Sequence, residues 1–162
     1  MTGYLPPPAE VDRPTRDRLL LEQCAALVAD GPDAIAVMAN LSAALHAAYA
    51  WHWVGFYRVV GDELVLGPFH GPPACVRIAR GKGVCGHAWA TGQVLVVPNV
   101  DAFPGHIACS ALSRSELVVP VRGRSGEVAA VLDVDSMHLD DFSDQDLVLL
   151  EKVAALLSPW LV

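Results

Sequence analysis

The chain has 162 residues, 53% of them hydrophobic, and carries 18 acidic against 11 Lys and Arg side chains, a formal net charge of −7. That length fits one domain and buries enough surface to fold without a metal or disulfide staple. The apolar share excludes a disordered chain, and the acidic balance argues against a nucleic-acid binder, which needs a basic face. Four cysteines are too few for a disulfide scaffold and enough for chemistry.

Met1 to Glu10 shows no charged n-region followed by an apolar h-region, so no secretory signal is read there, and a cytoplasmic, reducing compartment is the expectation. Pro6, Pro7 and Pro8 mark an extended leader, residues 1–13, and residues 14–162 read as one domain. Pro14 stands where a helix can begin, and Arg16 to Ala29 is helical in pattern, with Leu19, Leu20, Cys24, Leu27 and Val28 on one face and Gly31-Pro32 as the stop. Asp33 is the predicted N-cap of a second helix whose stripe is Ile35, Met38, Leu41, Leu45 and Ala48. No formal charge falls between Ala34 and Tyr57, long enough to span a bilayer, but Asn40, Ser42, His46 and His52 interrupt it. Its periodicity also changes partway from helical to alternating. A buried helix followed by a strand is therefore read, and no membrane span.

Trp53 to Val60 and Glu63 to Phe69 form a predicted hairpin about Gly61-Asp62. A short strand at Cys75 to Ala79, a helix from Val84 to Thr91 capped by Gly92, and a strand at Val94 to Val97 follow. A loop runs from Pro98 to about Ser113; strands at Glu116 to Arg122 and Glu127 to Val134 come next. Ser143, with Gln145 and Asp146 after it, opens a closing helix that faces Leu147, Leu150, Val153, Ala154 and Leu157 inward. Adjacent strands joined by tight turns imply an antiparallel sheet with helices packed on it, an α+β fold.

Cys24 reads as a small buried hydrophobe. Cys75, Cys85 and Cys109 differ, because they fall in loops or at a helix start, where thiols become reactive. The helix N-terminus is expected to lower the pKa of Cys85, and a protonated His106 would favour a Cys109 thiolate. A zinc site from Cys75, Cys85, His87, His106 and Cys109 is a rival with poor spacing. Asp133 and Asp135 share a strand face, and Glu116 begins the neighbouring strand. Such acids either mark strand ends or, if buried together, require a cation, an ammonium group or a shared proton. Trp51, Trp53, Phe56 and Tyr57 read mostly as core, with one indole available as a pocket wall.

Several motifs together resemble the free methionine-(R)-sulfoxide reductases, a branch of the GAF-domain proteins. They are Trp53-Val54-Gly55-Phe56-Tyr57, Leu64-Val65-Leu66-Gly67-Pro68-Phe69, Ala74-Cys75-Val76-Arg77-Ile78 and Gly81-Lys82-Gly83-Val84-Cys85-Gly86, then Gly105-His106-Ile107-Ala108-Cys109, Ser115-Glu116-Leu117-Val118-Val119-Pro120 and Val131-Leu132-Asp133-Val134-Asp135-Ser136. Ser110 departs from the pattern, since an acid is common there. The resemblance implies a GAF fold: a central antiparallel sheet with the terminal helices on one face and the substrate pocket on the other. It implies that Cys109 is the catalytic cysteine, that Cys85 or Cys75 resolves its sulfenic acid to a disulfide, and that Trp53 packs on the substrate methyl group. It further implies that Glu116, Asp133 and Asp135 hold and activate free methionine sulfoxide, that no cofactor is bound, and that thioredoxin restores the thiols. The alternative is a GAF module that senses a small molecule without catalysis. Pairing of two copies through the terminal helices is a fold-level expectation.

Overall fold

A computed structural model describes residues 4–29 and 33–162; the stop expected at Gly31-Pro32 and the first three residues of the leader lie outside them. The element order is α1 (Arg13–Ala29), α2 (Ala34–Tyr49), β1 (Trp53–Val60), β2 (Glu63–His70), β3 (Arg77–Ala79), α3 (Gly83–Thr91), β4 (Leu95–Val97), β5 (Ser115–Arg122), β6 (Val128–Ser136) and α4 (Asp144–Leu157). Helix α1 starts earlier than Arg16 because Asp12 caps it, its carboxylate accepting from the Thr15 N–H at 2.8 Å. Asp33 caps α2 through the Ala36 N–H at 3.0 Å.

The buried face of α2 is Val37, Met38, Leu41, Ala44 and Leu45. Ile35 stands at the rim of that stripe and is 41% exposed, which corrects its expected place in the core. Helix α4 opens with a capping box in which Ser143 and Asp146 satisfy each other's backbone N–H groups. Leu149 is buried there as fully as Leu150, whereas Leu147 packs only partly.

Six strands form one sheet in the order β3-β2-β1-β6-β5-β4, every neighbouring pair antiparallel. Period-2 alternation gives the sheet two faces. Val54 and Phe56 of β1, Leu117 and Val119 of β5, and Leu132 and Val134 of β6 pack beneath α1, α2 and α4. The opposite face packs Trp53, Tyr57, Val118 and Val131 against Val84, Cys85, Ala88 and Trp89 of α3. The aromatic run of β1 is thus divided, with Phe56 in the helical layer and Trp53 and Tyr57 on the other side. No helix among the described residues is long and apolar enough to cross a membrane.

Candidate active site

Register places the acids. Trp53 lies opposite Asp135, and Asp135 opposite Glu116; Gly55 lies opposite Asp133, and Asp133 opposite Val118. The alternation that turns Leu132 and Val134 toward the helices therefore turns Asp133 and Asp135 the other way, beside Glu116 and Trp53. All three carboxyls and the indole line one cavity with Cys85, Cys109 and the first turn of α3. The space left among them is about 40 Å³, room for a water or an ion, and the cavity opens to solvent.

Gly55 makes the indole's position possible. A Cβ there would meet the Phe69 Cβ at 2.3 Å and the Trp53 Cη2 at 2.6 Å. The Trp53 ring stacks on Phe69 with centroids 5.2 Å apart and on Tyr57 at 5.9 Å, and its N–H donates to the Pro72 carbonyl at 3.2 Å. Tyr57 donates its hydroxyl to the Cys75 carbonyl at 3.0 Å, which ties the Cys75 segment to the sheet. No periodicity in the sequence marks Gly55 or Tyr57 as site-building residues; a glycine inside a strand pattern was the available signal.

Cys75 and Cys109 are joined in a disulfide across 34 residues, their Cα atoms 5.4 Å apart. Cys24 and Cys85 are free and buried, Cys24 in the helical layer as expected. Cys85 sits in the first turn of α3, with its thiol directed at Glu116 Oε1, 3.8 Å away. Its pKa moves opposite to the helix-dipole expectation. Burial pushes it well up, and the neighbouring Asp133 and Glu116 push it further. Burial outweighs the helix end, so Cys85 is held as a thiol.

Burial also lifts the carboxyls. Glu116 and Asp135 stand well above the ordinary range, first from burial and then from Asp133 nearby. Asp133 is raised to about 6, burial being partly offset by hydrogen bonds from Cys85, Glu116 and the Val134 backbone. One oxygen of Asp133 is buried without a hydrogen-bond partner. His106 Nε2 lies 3.9 Å from Glu116 Oε2, and burial pushes its pKa down against the pull of Asp101. The ring is therefore neutral at physiological pH, contrary to the expected protonated partner for Cys109. His52 Nε2 and the Ser110 hydroxyl are 3.0 Å apart, so the departure at Ser110 is occupied by a contact to the segment just before β1.

The zinc set weighed from the sequence is not assembled. Cys75 and Cys109 are bonded to each other, and His87 is exposed with its ring edge-on to Phe103. A different trio converges instead: Cys85, Glu116 and Asp133 each bring one donor atom within 4.8 Å of the others.

The GAF domain family model matches residues 33–158. Among curated relatives, a GAF domain-containing protein A from Dictyostelium discoideum is 48% identical over 85% of this chain and 87% of its own length. A free methionine-R-sulfoxide reductase from Escherichia coli is 46% identical over 75% of this chain and 73% of its own length. Among solved structures, free methionine-R-sulfoxide reductase from Neisseria meningitidis in complex with its substrate aligns at a TM-score of 0.88 and 49% identity, covering 93% of this chain and 90% of that one. Fold, family model and these relatives agree: the chain belongs to the GAF domain family, in the branch that holds proteins named free methionine-R-sulfoxide reductase.

Proposed function

We propose that the protein reduces free L-methionine (R)-sulfoxide to L-methionine. The observation that carries this reading is the Cys75–Cys109 disulfide on the wall of a cavity whose floor is Glu116, Asp133 and Asp135 and whose side is Trp53. A ligand sensor without chemistry has no need of that pairing of a redox-active disulfide with buried acids.

In the reduced enzyme the Cys109 thiolate attacks the sulfoxide sulfur. The sulfoxide oxygen must take up a proton as its bond to the substrate sulfur breaks, and Glu116 and Asp135, held neutral by burial, are suited to donate it. Asp133, raised to about 6 by burial and with hydrogen bonds that favour its charged form, is the carboxylate that carries charge toward the substrate ammonium. N–H groups in the first turn of α3, which lines the cavity, hold the substrate carboxylate, and Trp53 packs against the methyl group. The acids oppose formation of a thiolate; the arriving ammonium relieves that opposition. The protonated oxygen passes from the substrate sulfur to Cys109 Sγ as the sulfur–sulfur bond made by the attack breaks, so methionine leaves and Cys109 is left as a sulfenic acid. The Cys75 sulfur then displaces water from it, forming the disulfide.

Geometry supports Cys75 rather than Cys85 as the resolving group: Cys75 reaches Cys109, while the Cys85 thiol is buried against carboxylates that hold it protonated. Reduction of the disulfide by a thioredoxin-type dithiol completes the cycle, with no bound cofactor. Exposed Val76 and Leu112 beside the two cysteines offer such a reductant an apolar landing. A cycle of this kind belongs in a reducing compartment such as the cytoplasm. Pairing through α1 and α4 leaves this face of the sheet free.

Single-turnover assays on cysteine variants test the scheme. Cys109→Ser is expected to form no methionine, Cys75→Ser to complete one turnover and then fail to recycle with thioredoxin, and Cys85→Ser to recycle. Normal first turnover in Cys109→Ser would overturn the assignment.

A further inference from the structure

The Cys85 thiol is not used by the cycle above, yet it is fixed among acids in the cavity. We propose that Cys85, Glu116 and Asp133 form a binding site for a thiophilic divalent cation of the zinc class.

Three features carry this. The first is the donor set. One sulfur and two carboxylate oxygens lie within 4.8 Å of one another, and the Cys85 Sγ is 3.8 Å from Glu116 Oε1. A tetrahedral ion with Zn–S near 2.3 Å and Zn–O near 2.0 Å spaces sulfur and oxygen about 3.5 Å apart, so the Cys85–Glu116 pair needs to contract only slightly. The second is Asp133 Oδ1, a buried acceptor without a donor on a residue only 6% exposed. In native proteins such atoms have a partner, and a cation supplies one. The third is space: about 40 Å³ lies open in the cavity that these groups line, enough to admit an ion.

The frame is stiff. Glu116 and Asp133 sit on the paired strands β5 and β6, and Cys85 on the first turn of α3 packed over them. His106 Nε2 is 3.9 Å from Glu116 Oε2 and does not join the trio, which leaves the fourth position of a tetrahedral ion to water. Sulfur in the set selects zinc or cadmium over magnesium and calcium, which prefer oxygen alone. Binding involves no electron transfer: the Cys85 thiol and the Glu116 carboxyl each release a proton to solvent as their bonds to the metal form. Cys75 and Cys109 take no part, being joined to each other. If the proposed reductase function holds, the ion and the sulfoxide compete for Glu116 and Asp133, and the ion is an inhibitor rather than a cofactor. The site itself does not depend on that function.

The test is a titration of the full chain with Cd2+ alone, the Cys75–Cys109 disulfide intact and no sulfoxide present, read by the ultraviolet sulfur-to-cadmium charge-transfer band. The band is expected to saturate at one equivalent, to yield to Zn2+ and not to Mg2+, and to persist in Cys24→Ala. It is expected to vanish in Cys85→Ala, and in Asp133→Asn the affinity should fall about tenfold or more. No band, a band that survives Cys85→Ala, or unchanged affinity in Asp133→Asn overturns the proposal. A readout on the unsubstituted chain stands beside these variants: Zn2+ raises its Tm and a chelator reverses the rise, and absence of that shift also overturns it. Because no substrate enters these measurements, their failure is distinct from failure of the reductase assay.

Discussion

Asp133 is the residue at which the chemistry of this site and the stability of the protein meet. Its pKa rises from 3.8 to about 6 because it is buried. The folded state therefore holds this proton more tightly than the unfolded state does. Between those two values the folded protein carries more bound protons, so stability falls as pH rises through the window. The favourable contribution is complete below the unfolded pKa and lost above the folded one. Thermal melts from pH 4 to 7 should show a wild-type Tm whose pH dependence is flattened in Asp133→Asn, which buries no charge at either end. Parallel curves for the two proteins would contradict burial as the cause of the raised pKa. Cys24 provides a contrast, since burial in the helical layer pushes its thiol up to about 12. Cys24→Ala should keep methionine formation near wild type in the same single-turnover assay.

At the scale of elements, β1 is the strand that builds the site. Its alternation sends Phe56 into the helical layer and Trp53 and Tyr57 into the cavity layer. Between the last two, Gly55 leaves the room across which the indole lies. Gly55→Ala should cost about 1–3 kcal/mol by overpacking and change the tryptophan fluorescence, measured by denaturant unfolding and emission spectra. Wild-type stability and spectra would show that the indole does not need that space. Tyr57→Phe removes the bond to the Cys75 carbonyl, a loss of about 1 kcal/mol. It should slow closure of the Cys75–Cys109 disulfide relative to the first turnover, followed by thiol titration after rapid mixing. An unchanged ratio would mean that the tyrosine does not hold that segment.

Much of this scale was legible in the sequence, because hydrophobic period and turn residues act locally. The order of helices and strands, the cap at Asp33, the Ser143 and Asp146 start and the Gly92 stop all follow from neighbours within a few residues. What resisted reading depends on distant partners. Ile35 against Val37 is a matter of where the sheet lies beneath α2. Cys75 against Cys85 as the partner of Cys109 is set by loop paths between separate strands. The reversal at Cys85 has the same origin, since Glu116 and Asp133 lie 31 and 48 positions away in sequence and only the sheet brings them near.

For the whole molecule, the sheet separates two tasks. The helical layer supplies stability, and its best-anchored polar group is Asp146, which closes the α4 capping box and accepts from Arg13 Nη2 at 2.7 Å. Loss of a cap costs about 1 kcal/mol, and the half-buried ion pair adds to it. Asp146→Ala should therefore lower the Tm while turnover per folded molecule stays near wild type. A large fall in turnover would show that the two layers are coupled. The other face carries the cavity, the disulfide and the acids, the proposed reductase site for the free amino acid sulfoxide. The most direct measurement incubates the protein with dithiothreitol and, separately, free L-methionine (R)-sulfoxide, free L-methionine (S)-sulfoxide and a peptide containing methionine sulfoxide, and quantifies the methionine formed. Consumption of the free R form is expected, with the S form and the peptide left intact. Preference for the peptide, or binding of the free sulfoxide without turnover, would contradict it.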